Sequence, residues 1–234
     1  MTANQAATRA SLYRLLALAF DYPRSELFES LQSGEFQKTF ATIGNVLRIP
    51  SSGLPPVRCD HQEFETEYLA AFEVVRNGDT RCSLQERSYS GLGQDIPLPD
   101  EASSRGTLME DLLRFYHHFG LRLVEDPSHR LPPDHLVCQF EMLSYLSLRE
   151  SMADTDGASA AWYRDAQRDF LRRHLSMWLP EVVNTLDRCP RSSDARQFYF
   201  AAAEISLASV TAHLAAIHAP RQNDRPVDCC HIDN

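Results

Sequence analysis

Residues 132–146 read Pro-Pro-Asp-His-Leu-Val-Cys-Gln-Phe-Glu-Met-Leu-Ser-Tyr-Leu and hold the clearest structural boundary in the chain. Neither proline can donate a backbone hydrogen bond, and each restricts the residue before it, so a preceding element ends here. Asp134 then stands at the N-cap position of a strongly apolar helix that carries His135, Gln139 and Glu141. The acid–imidazole pair Asp134–His135 is either a structural cap beside a surface imidazole or a recognition site facing a groove.

Outward from this stretch, apolar residues recur at helical spacing. Phe64, Tyr68 and Phe72 are four residues apart, and this aromatic stripe is typical of a helix that packs into a core. No segment alternates with a period of two. We therefore expect an all-α fold, a single globular bundle of about nine helices, at residues 11–20, 25–31, 35–47, 60–73, 107–119, 134–150, 158–175, 180–186 and 195–217.

Local signals predict several helix ends. Thr107 with Glu110 forms a capping box, and Gly120 can stop the same helix. Asp194 is placed to cap the last helix. Residues 74–103 lack sustained periodicity, and a loop of roughly 30 residues inside a compact domain indicates either a function or disorder.

Composition excludes several classes of protein. A net charge of −9 argues against nucleic-acid binding, which depends on basic residues. The first residues lack the pattern of a secretory signal, and the apolar run Phe198–Val210, interrupted by Glu204, is too short to span a bilayer. We expect a cytoplasmic protein without a membrane span, with a helical domain at 1–217 and a flexible polar tail at 218–234.

The patterns of catalytic and metal sites are missing from the sequence. There is no glycine-rich phosphate loop, nucleophile elbow or Glu-x-x-His motif. The tail sequence Cys229-Cys230-His231 has no fourth ligand nearby. The six cysteines form no Cys-x-x-Cys pair, which predicts reduced and mostly packed thiols. No catalytic residue, metal or cofactor is expected.

Five segments, in consistent order, carry a resemblance to a known family. The stretch at 132–146 has the form Pro-Pro-Asp-His-Leu-x-x-x-x-Glu-Met-Leu-x-Tyr-Leu and resembles the signature of the TorD/DmsD/NarJ family of cytoplasmic redox-enzyme maturation chaperones. The other segments similar to family motifs are Glu67–Phe72, Cys82–Tyr89, Tyr116–Leu121 and Phe170–Pro180. The chain departs from the family pattern at Gln139, where Glu is frequent, at Ser83, where proline is usual, and at Arg87-Ser88.

The resemblance implies a single all-helical domain, monomeric or domain-swapped into a dimer, without catalysis of its own. Such proteins bind the twin-arginine signal peptide or N-terminus of the catalytic subunit of a molybdopterin-containing oxidoreductase until its cofactor has been inserted. The loop and the size of the chain point to the branch that serves type II enzymes, such as dimethylsulfide, ethylbenzene, chlorate or selenate oxidoreductases.

The candidate peptide-binding residues follow from the chemistry of such a leader, which needs carboxylates for its arginines and a groove for its apolar helix. For many of the apolar candidates, core packing is the competing interpretation. Two other functions stay open: a helical metal-dependent enzyme using His135 and Glu141, and a nucleotide-dependent chaperone. The candidates are Glu67, Glu86, Asp134, Glu141 and His135 for the charged contacts, and Tyr68, Phe72, Leu84, Tyr89 and Trp178 for the apolar lining.

Overall fold

The computed structural model describes residues 3–49, 53–73, 82–89, 101–124, 131–155 and 160–218. Within these ranges the backbone forms nine α-helices and no strand, which confirms the predicted all-α class. A π-helical segment (Leu69–Glu73) follows α4, and a 3-10 turn covers Glu86–Ser88. The helices are α1 (Ala3–Phe20), α2 (Ser25–Gln32), α3 (Glu35–Leu47), α4 (His61–Tyr68), α5 (Glu101–His118), α6 (Leu136–Thr155), α7 (Ala161–Arg173), α8 (Leu175–Arg188) and α9 (Asp194–His218).

Helices α1 and α6 pack along each other in opposite directions. Near one end, Nη2 of Arg9 donates to Oε2 of Glu150 at 2.8 Å, and farther along, the Tyr13 ring stacks on Phe140 with centroids 6.0 Å apart. The Ser144 hydroxyl donates to the carbonyl of Ala10, in place of an intrahelical bond. This pair packs the first helix against a helix that lies more than a hundred residues later in the chain.

The predicted aromatic stripe runs along α4 and the π-helical segment after it, and it packs into the core. Phe64, Tyr68 and Phe72 are all buried, and each ring contacts Tyr199 of α9, with centroids 5.1–5.8 Å apart. Asp60, predicted only as the first residue of this helix, is its N-cap and accepts from the backbone N–H of Glu63 at 2.8 Å. Aromatic pairs of this kind add packing energy beyond the area that they bury.

Several predicted helix ends are wrong. α1 begins at Ala3 rather than Ser11, and α5 begins at Glu101, so Thr107 lies inside the helix and not at its N-terminus. Asp194 is the first residue of α9; the hydroxyl of Ser193 accepts from the backbone of that helix, while the Asp194 carboxylate accepts from the N–H of Arg58. The predicted stop at Gly120 is confirmed by its left-handed backbone, with φ of 75°.

The junction of α7 and α8 also differs from its prediction. The break lies at His174, with φ −120° and ψ −93°, whereas Pro180 lies inside α8. A proline there removes one backbone hydrogen bond. The neighbouring side chains Trp178, Leu179 and Val182 are buried, and this packing keeps the helix continuous across the proline.

By length and composition, α9 is the one helix among the described residues that could cross a membrane. It packs against α1, α4, α7 and α8, and 44% of its most apolar 18 residues are buried inside the protein. Length and composition alone therefore carry little weight here, and the expectation of no membrane span stays a prediction.

The described cysteines, Cys59, Cys82, Cys138 and Cys189, are all free thiols, in agreement with the predicted reduced state. Burial raises the pKa of Cys82 and of Cys138 to about 12, so these thiols stay protonated near neutral pH. Cys229, Cys230 and His231 lie outside the described residues.

Candidate functional site

The segment Cys82–Tyr89, placed on no regular element by its sequence, is fastened to the start of α6. The backbone N–H of Glu86 donates to the carbonyl of Asp134 at 3.0 Å, and that of Leu136 donates to the carbonyl of Leu84 at 2.8 Å. These two bonds form an isolated antiparallel bridge between Gln85 and His135. The family-like loop and the family-like helix therefore meet in space.

Asp134 serves this contact and does not cap α6, contrary to prediction. The helix begins at Leu136, and the carboxylate of Asp134, which is 0% exposed, accepts from the backbone N–H of Arg87 at 3.1 Å. The Nε of Arg87 lies 3.5 Å from the same oxygen. The carboxylate binds the loop because Arg87 provides both a backbone N–H and a guanidinium. Together these two groups stabilise a buried charge better than the N–H groups of a helix end alone.

His135 takes over the capping role. Its Nδ1 accepts from the backbone N–H of Val137 at 3.3 Å, one of the donors that a helix start leaves unpaired. The side chain is buried, and burial lowers the pKa of His135 to about 4. The imidazole is therefore neutral at pH 7, with its proton on Nε2.

Glu86 is buried at the centre of a polar network. Its Oε2 accepts from Nε2 of Gln139 at 2.6 Å, and Nδ1 of His174 lies 3.1 Å from its Oε1. The other end of the Gln139 amide accepts from Nε1 of Trp178 at 3.3 Å. The network joins the loop to α6, to the α7–α8 junction and to α8, and it engages the Glu86 carboxylate inside the protein.

The sequence did not predict Gln139 and His174 as members of this network, nor Arg87 as the partner of Asp134. Two signals were available: Gln139 is the position where the chain departs from the family pattern, and His174 lies within the family-like segment 170–180. Their partners are distant in sequence, Glu86 being 53 positions from Gln139 and 88 from His174. Periodicity cannot show such pairings.

Most of the predicted apolar lining lies in the core. Tyr68, Phe72, Leu84 and Trp178 are buried, and only Tyr89, half-buried and stacked on Trp178 with centroids 5.5 Å apart, reaches the surface. Glu67 of α4 pairs with Arg196 of α9, with Oε2 2.6 Å from Nε. Peptide contact by these residues stays a prediction.

Glu141 is the exposed member of the predicted acids, and it lines a cavity of about 420 Å³. The cavity lies between the end of α1, the residues after α5 and the first half of α6. Asp21 supplies a second carboxylate, whereas Arg24 and Arg122 supply cations. The apolar part of its wall consists of Leu121, Leu123, Val124, Leu131, Val137, Met142 and the ring of Tyr145.

The surroundings of Glu141 in this cavity change its pKa. Its pKa is raised, mainly by partial burial and further by the Asp21 carboxylate, while Arg14 acts in the opposite direction. Two carboxylates close enough to influence each other form a site that a cation would stabilise. The arrangement can accept a positively charged group at its rim and apolar side chains inside.

The metal-enzyme alternative finds no support in the part of the chain that the structure describes. No three His, Cys, Asp or Glu side chains there are grouped as metal ligands. His135 is buried with its Nδ1 engaged by the backbone, whereas Glu141 faces the cavity.

Comparisons with known proteins agree with the sequence resemblance. The model of the nitrate reductase delta subunit family matches residues 33–184. The selenate reductase assembly chaperone protein of Thauera selenatis is 37% identical over 178 residues, 76% of each chain. The chlorate reductase assembly chaperone protein of Ideonella dechloratans is 33% identical over 76% of each chain. The dimethyl sulfide dehydrogenase assembly chaperone protein of Rhodovulum sulfidophilum is 35% identical over 76% of this chain and 69% of its own.

Proposed function

This chain belongs to the TorD/NarJ family of redox-enzyme assembly chaperones, and from that premise we propose that it binds the twin-arginine leader or N-terminus of a molybdopterin oxidoreductase catalytic subunit in the cytoplasm. It is a system-specific maturation chaperone rather than an enzyme. Relatives named for selenate reductase, chlorate reductase and dimethyl sulfide dehydrogenase support a client from the type II branch. The chaperone would hold the client until its cofactor has been inserted.

The observation that carries the proposed binding site is the position of Glu141. Among the four acids predicted from the sequence, it is the exposed one, and it stands beside Asp21 at an apolar cavity. A leader of this kind carries two arginines next to an apolar helix. Guanidinium groups pair with carboxylates in a bidentate geometry, and an apolar helix binds in a groove. We assign the arginines to Asp21 and Glu141, and the apolar helix to the cavity.

The other predicted acids receive a supporting role in this proposal. Asp134 and Glu86 fasten the loop Cys82–Tyr89 to α6, the helix that carries Glu141. Both carboxylates are buried and already accept hydrogen bonds inside the protein, so a client arginine would have to displace existing partners to reach them. Contact by Tyr89 at the surface of the loop is compatible with this arrangement.

Binding to a synthetic leader tests the proposal directly. The probe is a fluorescent peptide with an Arg-Arg pair followed by an apolar helical segment, measured by fluorescence anisotropy. Its matched controls carry Lys-Lys, or Arg-Arg before a serine- and glycine-rich segment. We expect the intact peptide to bind at least tenfold more tightly than either control, because only it offers both bidentate cations and an apolar face.

Substitution of the two carboxylates locates the site. Asp21→Asn with Glu141→Gln should weaken binding of the Arg-Arg peptide at least tenfold, and Glu204→Gln, an exposed acid on α9, should leave it unchanged. Binding should also weaken as the pH falls through the raised pKa of Glu141, because a protonated carboxyl loses its attraction for arginine. Equal affinity in the double variant and the native protein would remove the cavity from consideration.

A further inference from the structure

The outer face of α6 carries an apolar stripe that begins at the cavity beside Glu141. The stripe consists of Glu141, Tyr145, Leu148 and Met152, which are spaced four, three and four residues apart. At about 100° of rotation per residue, the four positions lie within about 60° of one another around the helix, so they form one line along its surface. Glu141 and Tyr145 line the cavity, and the other two residues continue the line beyond it.

Leu148 and Met152 are exposed although both side chains are large and apolar. Their relative exposures are 47% and 44%, so an apolar partner would remove about half of each side chain from water. The core does not depend on them, because Phe140, Leu143 and Leu146 on the inner side of α6 are 0% exposed. Exposed apolar surface that continues a binding groove is typical of an interaction site.

Aromatic side chains from the neighbouring helices lie beside the stripe. The hydroxyl of Tyr145 donates to the carbonyl of Phe119 at 3.2 Å, which brings the residue after α5 next to the stripe. The Phe119 ring packs against Trp162 of α7, with centroids 4.8 Å apart, and Trp162 is 48% exposed. Arg149 also lies on this side, where its Nη2 donates to the hydroxyl of Tyr163 at 3.1 Å. The exposed surface beside the stripe is therefore largely aromatic.

The cavity alone is too short for the apolar part of a leader. The apolar segment of an export signal has about 7–15 residues, which as a helix is about 10–22 Å long. From Glu141, the cavity follows α6 only to Tyr145, about 6 Å along the helix axis. Met152 lies about 16 Å from Glu141 along the same axis. The exposed stripe therefore supplies the length that the cavity lacks.

The charges give a bound peptide its direction. Asp21 and Glu141 lie at the cavity end, and the stripe holds no acid beyond Glu141. A leader carries its arginines before its apolar helix, so arginines placed at the two carboxylates leave the helix to run toward Met152. An apolar helix that lies along such a surface is a common mode of peptide recognition.

We propose that the apolar helix of the client leader leaves the cavity and lies along α6, over Tyr145, Leu148 and Met152 and against Trp162. The leader runs in the same direction as α6, with its arginines at the Glu141 end. This inference rests on the leader-binding function proposed above, and it adds the direction and the reach of the bound peptide.

Two leader peptides of different length test the proposal by fluorescence anisotropy. Both begin with Arg-Arg, followed by about twelve apolar helix-forming residues in the long peptide and about four in the short one. Leu148→Ser with Met152→Ser should weaken binding of the long peptide about tenfold or more, because the apolar surface beyond the cavity is lost, and should leave the short peptide unaffected. Val46→Ser with Met177→Ser, at exposed apolar positions of α3 and α8, is the matched control and should bind both peptides normally.

Trp162 reports the contact without substitution of the stripe. The chain has two tryptophans, and the other, Trp178, is buried. An unlabelled long peptide without tryptophan should shift the emission maximum to shorter wavelength as it covers Trp162. The short peptide should cause no shift, and Trp162→Phe should remove the shift caused by the long peptide.

The outcomes separate this inference from the proposal on which it rests. If the native protein binds the long peptide but the Leu148 and Met152 variant binds it equally well, or Trp162 emission does not shift, the inference is overturned and the leader site in the cavity stands. An equal loss of short-peptide binding in that variant would also overturn it. If neither peptide binds the native protein, the leader proposal itself is overturned, and this inference with it.

Discussion

At the scale of single residues, His135 shows how burial changes the role of a side chain that the sequence makes conspicuous. The imidazole next to Asp134 suggested a charged recognition pair. In the structure it is 4% exposed, neutral at pH 7, and bonded to the backbone of its own helix. The recognition hypothesis at this position therefore moves from contact with a client to positioning of the loop and helix around the site.

The low pKa of His135 predicts a specific dependence of stability on pH. The folded-state pKa is about 4, below the value near 6.5 expected when unfolded, so the unfolded chain binds the extra proton first. The stability contributed by neutral His135 is fully present above pH 6.5 and is lost as the pH falls toward 4, for a total of about 3 kcal/mol.

His135→Asn isolates this contribution, because asparagine is a good N-cap that does not titrate. Between about pH 7.5 and pH 5, the free energy of unfolding measured with denaturant should fall by about 2 kcal/mol less in the variant than in the native protein. The other buried histidines are present in both proteins and cancel in the difference. Parallel curves would show that His135 titrates normally.

At the scale of elements, Gln139 joins three parts of the fold through one amide. Its nitrogen donates to Glu86 in the loop and its oxygen accepts from Trp178 in α8, while its own backbone belongs to α6. The glutamine is 0% exposed, so water cannot replace either partner. A glutamate at this position would place a second carboxylate against Glu86, and one of the two would have to be protonated.

Gln139→Leu should therefore destabilise the protein strongly. The substitution removes the amide donor from the buried Glu86 carboxylate, which keeps its contact with His174, and leaves the indole N–H of Trp178 without its acceptor, at a cost of about 3 kcal/mol. Denaturant unfolding followed by the fluorescence of tryptophan measures this loss, and Gln197→Leu, on the exposed side of α9, should change stability by less than about 0.5 kcal/mol. Comparable effects at the two positions would mean that the network contributes little.

The elements also show what the sequence could predict. Periodicity identified nine helices because their apolar faces are continuous, and Gly120 marked a helix end that depends on local backbone alone. The N-cap predictions at Asp134 and Asp194 were wrong because each carboxylate accepts a hydrogen bond from a residue distant in sequence. The donors are the backbone N–H groups of Arg87 and Arg58. A local pattern cannot show competition from a partner that only the tertiary fold brings close.

The same limit applies to the site. Glu67, Glu86, Asp134 and Glu141 look alike in sequence, yet only the fold separates the paired or buried acids from the exposed one at the cavity. The second carboxylate, Asp21, follows the end of α1 and gave no signal, because its neighbours on α5 and α6 are more than a hundred positions away in most cases. The family resemblance indicates which type of ligand the protein binds, and the structure indicates which cavity is the candidate binding site.

At the scale of the whole molecule, the core depends on the first helix more than the sequence indicated. Ala6, Arg9 and Ala10 are buried, although they precede the helix start predicted at Ser11. Arg9 also neutralises Glu150, which is buried in α6. The residues before position 11 are therefore part of the domain.

Two deletions compare the two ends of the chain. Removal of residues 2–10 leaves Glu150 without its closest partner, which should cost about 3–5 kcal/mol and lower the midpoint of thermal unfolding by about 10 °C or more. Removal of residues 219–234, which belong to the tail predicted from sequence and lie outside the described residues, should leave the midpoint unchanged. A large drop on the second deletion would show that the tail belongs to the domain.

The hydrogen bond between Tyr13 and His213 joins residues 200 positions apart. During synthesis of the protein, this separation delays the packing of α1 against α9. A ribosome that adds about 5–20 residues per second needs about 10–40 s to pass from one residue to the other. During that time the apolar face of α1, with Leu12 and Leu16, has left the ribosome before α9 exists to cover it. We therefore expect the newly made N-terminal helix of this assembly factor to be a target for general holdases in the cell.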